Sequence, residues 1–241
     1  MKRNIVLALI AALILAMAGV GCAQTEGSGA IGEAKAEVEP GPEAYTVTKH
    51  GQILGPDGNC LWQLPKWEYS DYLYCEAQIV ERAGHVYAVY HSGGATMGSD
   101  HQVRLTPSEA VELDSNKNIF EYDGVSFGTT TWVPPGPDNL YMKKDGKDWV
   151  KIGDPKLIYG WNYHVKEDGS EGGSSVAQME YDGSRYLYVI GFEGISMEHS
   201  EAVKQHPGVY RVDIKTNETV RVSPEDKDVI EFEIKDGEVV Y

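Results

Sequence analysis

From Tyr45 onward, apolar and polar positions alternate in short runs that are broken by Gly, Asp, Asn and Pro. Period-two alternation with such breaks predicts half-buried β-strands joined by tight turns. Three of the breaks are alike. The run from Ile119 through Asp123-Gly124 leads into Val125 to Gly128, Met179 through Asp182-Gly183 into Arg185 to Val189, and Phe232 through Asp236-Gly237 into Val239 to Tyr241. Each reads as strand, turn, strand, because Gly takes a positive φ that a Cβ disfavours. Ala77 to Gly84 before Val86 to Tyr90 is a degenerate fourth copy.

A second hairpin is expected after three of the copies. Gln102 to Leu105 should pair with Ala110 to Leu113, Asn139 to Lys143 with Trp149 to Ile152, and Gly208 to Ile214 with Thr219 to Val222. Asp145-Gly146 and Thr216-Asn217 supply turn residues for two of these pairs. The unit is then a four-stranded antiparallel meander. Over residues 72 to 241 it resembles a β-propeller blade, and the strand, Asp-Gly, strand rhythm is similar to the repeats of bacterial surface propellers. The resemblance implies an all-β fold, a small propeller-like array of about four blades. The last copy needs partners, and the Tyr45 to Leu64 strands are expected to close the ring with it. The alternative is a set of open antiparallel sheets or a β-sandwich.

Before Tyr45 the pattern differs. Lys2 and Arg3 precede an apolar run from Ile5 to Ala18, too short to span a bilayer but suited to the h-region of a secretory signal. The run closes on Ala18-Gly19-Val20-Gly21-Cys22, which resembles the lipobox of bacterial lipoproteins, with Gly19 where that family usually has Leu. The resemblance implies cleavage after Gly21, a diacylglycerol on the Cys22 thiol, and an extracytoplasmic protein anchored by lipid in the bacterial cell membrane. An ordinary signal peptide with an incidental cysteine is the other reading. Residues 23 to 43 hold no aromatic side chain and are rich in Gly, Ala, Ser, Glu and Pro, so they read as a flexible acidic tether. The expected organisation is signal peptide 1–21, lipidated Cys22 with tether 22–43, and β domain 44–241.

Charge narrows the partners. The 241-residue chain carries 21 Lys and Arg against 37 Asp and Glu, a formal charge of −16, without a basic cluster. Duplex nucleic acid is therefore not expected as a partner, since phosphate binding needs grouped cations. A surface protein, peptide or glycan fits better.

In the meander the second-to-third strand connections and those between units share one rim, and they are the long ones. Binding residues usually sit on such loops. His91, Asp100, His101, Glu198, His199 and His206 fall there without metal-ligand spacing, so no metal site is expected. Aromatic side chains with polar tips suit sugar or peptide recognition. Their bland alternative is packing between sheets. The candidate ligand residues are His91, Trp132, Trp161, Tyr163 and His199. Cys60 and Cys75 are candidates for a disulfide, which would close a loop of about 15 residues worth roughly 3 kcal/mol, against two buried thiols.

No G-x-S-x-G elbow, phosphate loop or dinucleotide fingerprint occurs, so no cofactor is expected and catalytic residues are unassigned. The expected function is a lipid-anchored surface binding protein. The alternative is an extracytoplasmic, glycan-active hydrolase using two rim carboxylates about 5 to 9.5 Å apart.

Overall fold

The computed structural model describes residues 39–94, 98–130, 139–165, 171–175, 178–193 and 206–241, with 162–165 and 171–175 as backbone alone. The expected signal peptide, Cys22 and most of the tether lie outside the described residues. Among these no helix is long and apolar enough to cross a membrane.

After a 3-10 turn at Pro42–Ala44, the strands β1 (Thr46–Val47), β2 (Gln52–Leu54) and β3 (Cys60–Gln63) form a three-stranded sheet. The first meander follows: β4 (Ala77–Arg82), β5 (His85–Ser92), β6 (Ser99–Leu105) and β7 (Ala110–Glu112), hydrogen-bonded in chain order. The second repeats it with β8 (Lys117–Tyr122), β9 (Val125–Thr130), β10 (Leu140–Lys144) and β11 (Val150–Lys151). All four expected turn-linked first hairpins form, and so do the three second hairpins.

The third meander carries an insertion. β12 (Leu157–Tyr159) is followed by the hairpin β13 (Trp161–Val165) and β14 (Glu171–Ser175), then β15 (Met179–Tyr181), β16 (Tyr186–Glu193), β17 (Gly208–Asp213) and β18 (Thr219–Arg221). β12 faces Gly191 to Glu193 and β15 faces Leu187 to Val189, both on the edge of β16 opposite β17. The outer strand is thus split in two around the inserted hairpin. β19 (Glu233–Lys235) and β20 (Glu238–Val240) end the chain as a separate hairpin. Its turn places Asp236 at φ 52° and Gly237 at φ 82°.

Consecutive sheets pack in sequence order. Tyr45, Ile53 and Leu64 bury against Val86, Ala88, Tyr90, Val103 and Leu105 of the first meander. Phe127, Leu140 and Met142 of the second share a core with Tyr159, Leu187, Val189 and Val212 of the third. Val229 and Phe232 cover Ile190 and Val209. Each fully buried large side chain contributes about 1.5–3 kcal/mol of transfer free energy, so these contacts between sheets hold the array together.

Polar contacts fix the same neighbours. The Gln102 amide donates to Ile119 O (2.7 Å) and accepts from Ile119 N (3.1 Å). Asn139 makes the same paired contact with Tyr159, at 2.8 and 2.7 Å. Gln178 does so with Phe232. Half-buried between the first two meanders, Arg82 donates to Gln102 Oε1 (2.6 Å) and lies over Phe120, and desolvation pulls its pKa down to about 10.

One expectation changes here. Among the described residues no ladder joins β1–β3 to β19–β20: the N-terminal strands satisfy one another and bury on the first meander, while the C-terminal hairpin buries on the third. No shared closing blade is seen among the described residues. Upstream of the first strand, Glu39 Oε1 lies 3.6 Å from the Arg104 guanidinium and Glu39 Oε2 lies 3.3 Å from His85 Nδ1.

Candidate functional site

The distal end of the first meander gathers polar side chains. Register sets Tyr90 opposite His101, His91 opposite Asp100 and Ser92 opposite Ser99, while Val103 faces Glu112. Because side chains alternate, Ser92, His101 and Glu112 share the sheet face of the buried Tyr90 and Val103. His91 and Asp100 take the opposite face. Strands place these residues, whereas a long loop was expected: β5 runs to Ser92 and β6 begins at Ser99. The same holds for the connection between the second and third units, which was expected to be a long loop and contains β12, β13 and β14.

On the core face the three side chains form a relay. Ser92 Oγ lies 2.7 Å from His101 Nε2, and His101 Nδ1 lies 2.7 Å from Glu112 Oε1. A carboxylate only accepts, so Nδ1 carries a proton; in the neutral ring Nε2 is then an acceptor, and Ser92 donates to it. The Tyr90 ring stacks on the imidazole at 4.7 Å and 7°. His101 is held by three contacts yet remains 20% exposed in its side chain, with Glu112 at 42%.

On the other face His91 Nδ1 lies 2.8 Å from Asp100 Oδ1. That hydrogen bond raises the His91 pKa above its ordinary value. The pair is about two-fifths exposed on each side.

The other expected ligand residues fare differently. Trp161 is buried with Ile158 and Phe192, and its indole N–H points at Thr130 O (3.5 Å). It packs between elements, so its assignment as a rim contact is corrected. Tyr163 lies in β13 opposite Gly173, but its side chain is outside the described residues, as are Trp132 and His199. Cys60 and Cys75 do not form the expected bridge: Cys60 is an exposed free thiol directed at Trp62 O, whereas Cys75 is buried. Among the described residues no group of three or more His, Cys, Asp or Glu could hold a metal ion.

At the opposite end of the third meander, Arg185, Tyr186, Arg211, Asp213, Glu218 and Val220 line a shallow cavity of about 70 Å³. Arg185 is committed to Asp213, with Nε at 2.7 Å, and both guanidinium groups lie over the Tyr186 ring. This volume has room for ordered water but not for a drug-sized ligand.

Sequence reading missed Ser92 and Glu112. Their signal was the alternation itself, which puts two polar residues and His101 on a face otherwise occupied by Tyr90 and Val103.

No family model matches the chain, and no curated protein or solved structure matches it.

Proposed function

We propose that the chain is an extracytoplasmic lipoprotein, anchored through lipid on Cys22, that engages a surface protein, peptide or glycan at the distal end of its first meander. One observation carries the reading: two hydrogen-bonded polar groups, Ser92 with His101 and Glu112 on one face and His91 with Asp100 on the other, sit at the same end of one sheet. The lipobox-like Ala18 to Cys22 segment and the acidic tether support the anchoring. For the array we propose a propeller-like arrangement with each meander as a blade, supported by the repeated carboxamide contacts between neighbours.

Metabolic labelling with palmitate in a bacterial host, combined with glycan and peptide arrays, tests the reading. Wild type should be labelled and Cys22→Ser should not. Array ligands bound by wild type should be lost by His91→Ala. Labelling that survives Cys22→Ser overturns the anchor, and unchanged binding by His91→Ala together with His101→Ala overturns the site. For the array, an energy-transfer pair at Thr46 and Tyr241 should report proximity if the units form a ring, and wide separation if they form an open stack.

A further inference from the structure

The Ser92, His101 and Glu112 relay goes beyond ligand binding, although it rests on the reading that this end of the sheet is the working surface. We infer that it is a serine hydrolase centre for neutral carboxylic esters with an apolar acyl group. Nucleophilic catalysis by a hydroxyl needs an acceptor within hydrogen-bond reach of its proton, and a third group that fixes the acceptor's tautomer. Both conditions are met at 2.7 Å, by His101 Nε2 towards Ser92 Oγ and by Glu112 Oε1 towards His101 Nδ1. The Tyr90 stack adds the orientation that the base requires before substrate arrives.

The described chain after the serine turns sharply. Gly93, at φ 89°, turns the backbone away directly after Ser92. The Tyr69 hydroxyl reaches to 3.4 Å from where a Gly94 Cβ would stand. Tyr69, exposed by 84%, therefore sets an aromatic ring beside the turn that follows the serine. Glu68 also lies beside Gly94, and Glu112 lies behind His101 on the same face. These carboxylates disfavour anionic substrates, which argues for neutral esters rather than phosphate esters.

In the first step Ser92 Oγ attacks the acyl carbon and its proton passes to His101 Nε2. The tetrahedral intermediate then collapses, the ester C–O bond breaks, and the leaving oxygen takes the proton from Nε2 and departs as an alcohol. Water attacks the acyl-serine while His101 takes its proton. The bond from the acyl carbon to Oγ breaks, Oγ recovers the proton, and a carboxylic acid leaves. Glu112 accepts from Nδ1–H throughout and stabilises the imidazolium.

The test uses the full chain in detergent with a fluorophosphonate probe and p-nitrophenyl butyrate. Wild type should be labelled at one site, mapped to Ser92 by peptide mass, and should release a burst of one p-nitrophenolate per chain. Ser92→Ala should lose both while keeping the wild-type circular dichroism and melting curve. Glu112→Gln should fold and bind but turn over more slowly by about 10²–10⁴-fold. Labelling at another residue, or hydrolysis equal in wild type and Ser92→Ala, overturns the proposal. Should wild type resist the probe while His91→Ala still loses array ligands, hydrolysis falls and the binding site stands. If array binding is unaffected but Ser92 is labelled, the binding reading falls and the hydrolase stands.

Discussion

The carboxamide of Gln102 pairs with both backbone polar groups of Ile119, so a side chain of one sheet completes the hydrogen bonding of the next. Gln102 and Ile119 are both buried, at 2% and 3% exposure. Removing the amide leaves a donor and an acceptor without water or partner. Each such group costs about 1–3 kcal/mol, so Gln102→Ala should lower the unfolding free energy by about 2–6 kcal/mol. Urea denaturation followed by fluorescence measures it, and a loss under 1 kcal/mol contradicts the assignment. Asn139→Ala, which frees Tyr159, should behave alike.

These contacts show what the sequence could reveal. The hairpins at Ala83-Gly84, Asp123-Gly124, Asp182-Gly183 and Asp236-Gly237 were legible because turn chemistry and alternation are local. The Gln102, Asn139 and Gln178 contacts were not, since a carboxamide in a strand looks like any solvent-facing polar residue until its sheet meets another. Splitting of an outer strand into β12 and β15 was hidden for the same reason, as both halves pair with one later strand. Ser92 and Glu112 became candidates only through the register of β5, β6 and β7. His91 was legible as an exposed polar residue, whereas Trp161 was misread because burial of an aromatic side chain depends on its neighbours Ile158 and Phe192.

Acid should act through Asp213. Its hydrogen bond from Arg185, assisted by backbone amides of Lys215 and Thr216, holds the carboxyl far below the usual carboxylate range. A group with a depressed folded pKa contributes stability above its unfolded value, about 3.9, and loses it as pH falls through the folded one. Wild type should therefore lose stability below about pH 4. Asp213→Asn should be less stable at neutral pH and should lose less on acidification; equal slopes in melting experiments across that range contradict the role.

His91 gives the opposite sign. Its hydrogen bond to Asp100 raises its folded pKa, so the stabilisation is fully present below the unfolded imidazole value, about 6.5, and disappears as pH rises through the folded value. Proton NMR of the imidazole should show a midpoint above about 6.5 in wild type. In Asp100→Asn the midpoint should fall, and an unchanged midpoint removes Asp100 as the cause.

Gly160 sets the junction between β12 and the inserted hairpin, and two independent effects forbid a side chain there. Its φ is +72°, a region that costs an L-residue about 1–2 kcal/mol. A Cβ would also stand 2.6 Å from Thr129 Oγ1 and 3.2 Å from Thr129 Cβ, and Thr129 is fully buried in β9 with little freedom to move. Gly160→Ala should thus destabilise by about 2–4 kcal/mol. Adding Thr129→Ala removes the hydroxyl and methyl that the new Cβ strikes, but leaves the backbone conformation unchanged. The double variant should accordingly recover part of the loss relative to Thr129→Ala alone, with a residue of about 1–2 kcal/mol that belongs to φ. Strict additivity of the two substitutions in chemical denaturation would mean that Gly160 and Thr129 do not meet, and that the second and third meanders pack differently at this junction.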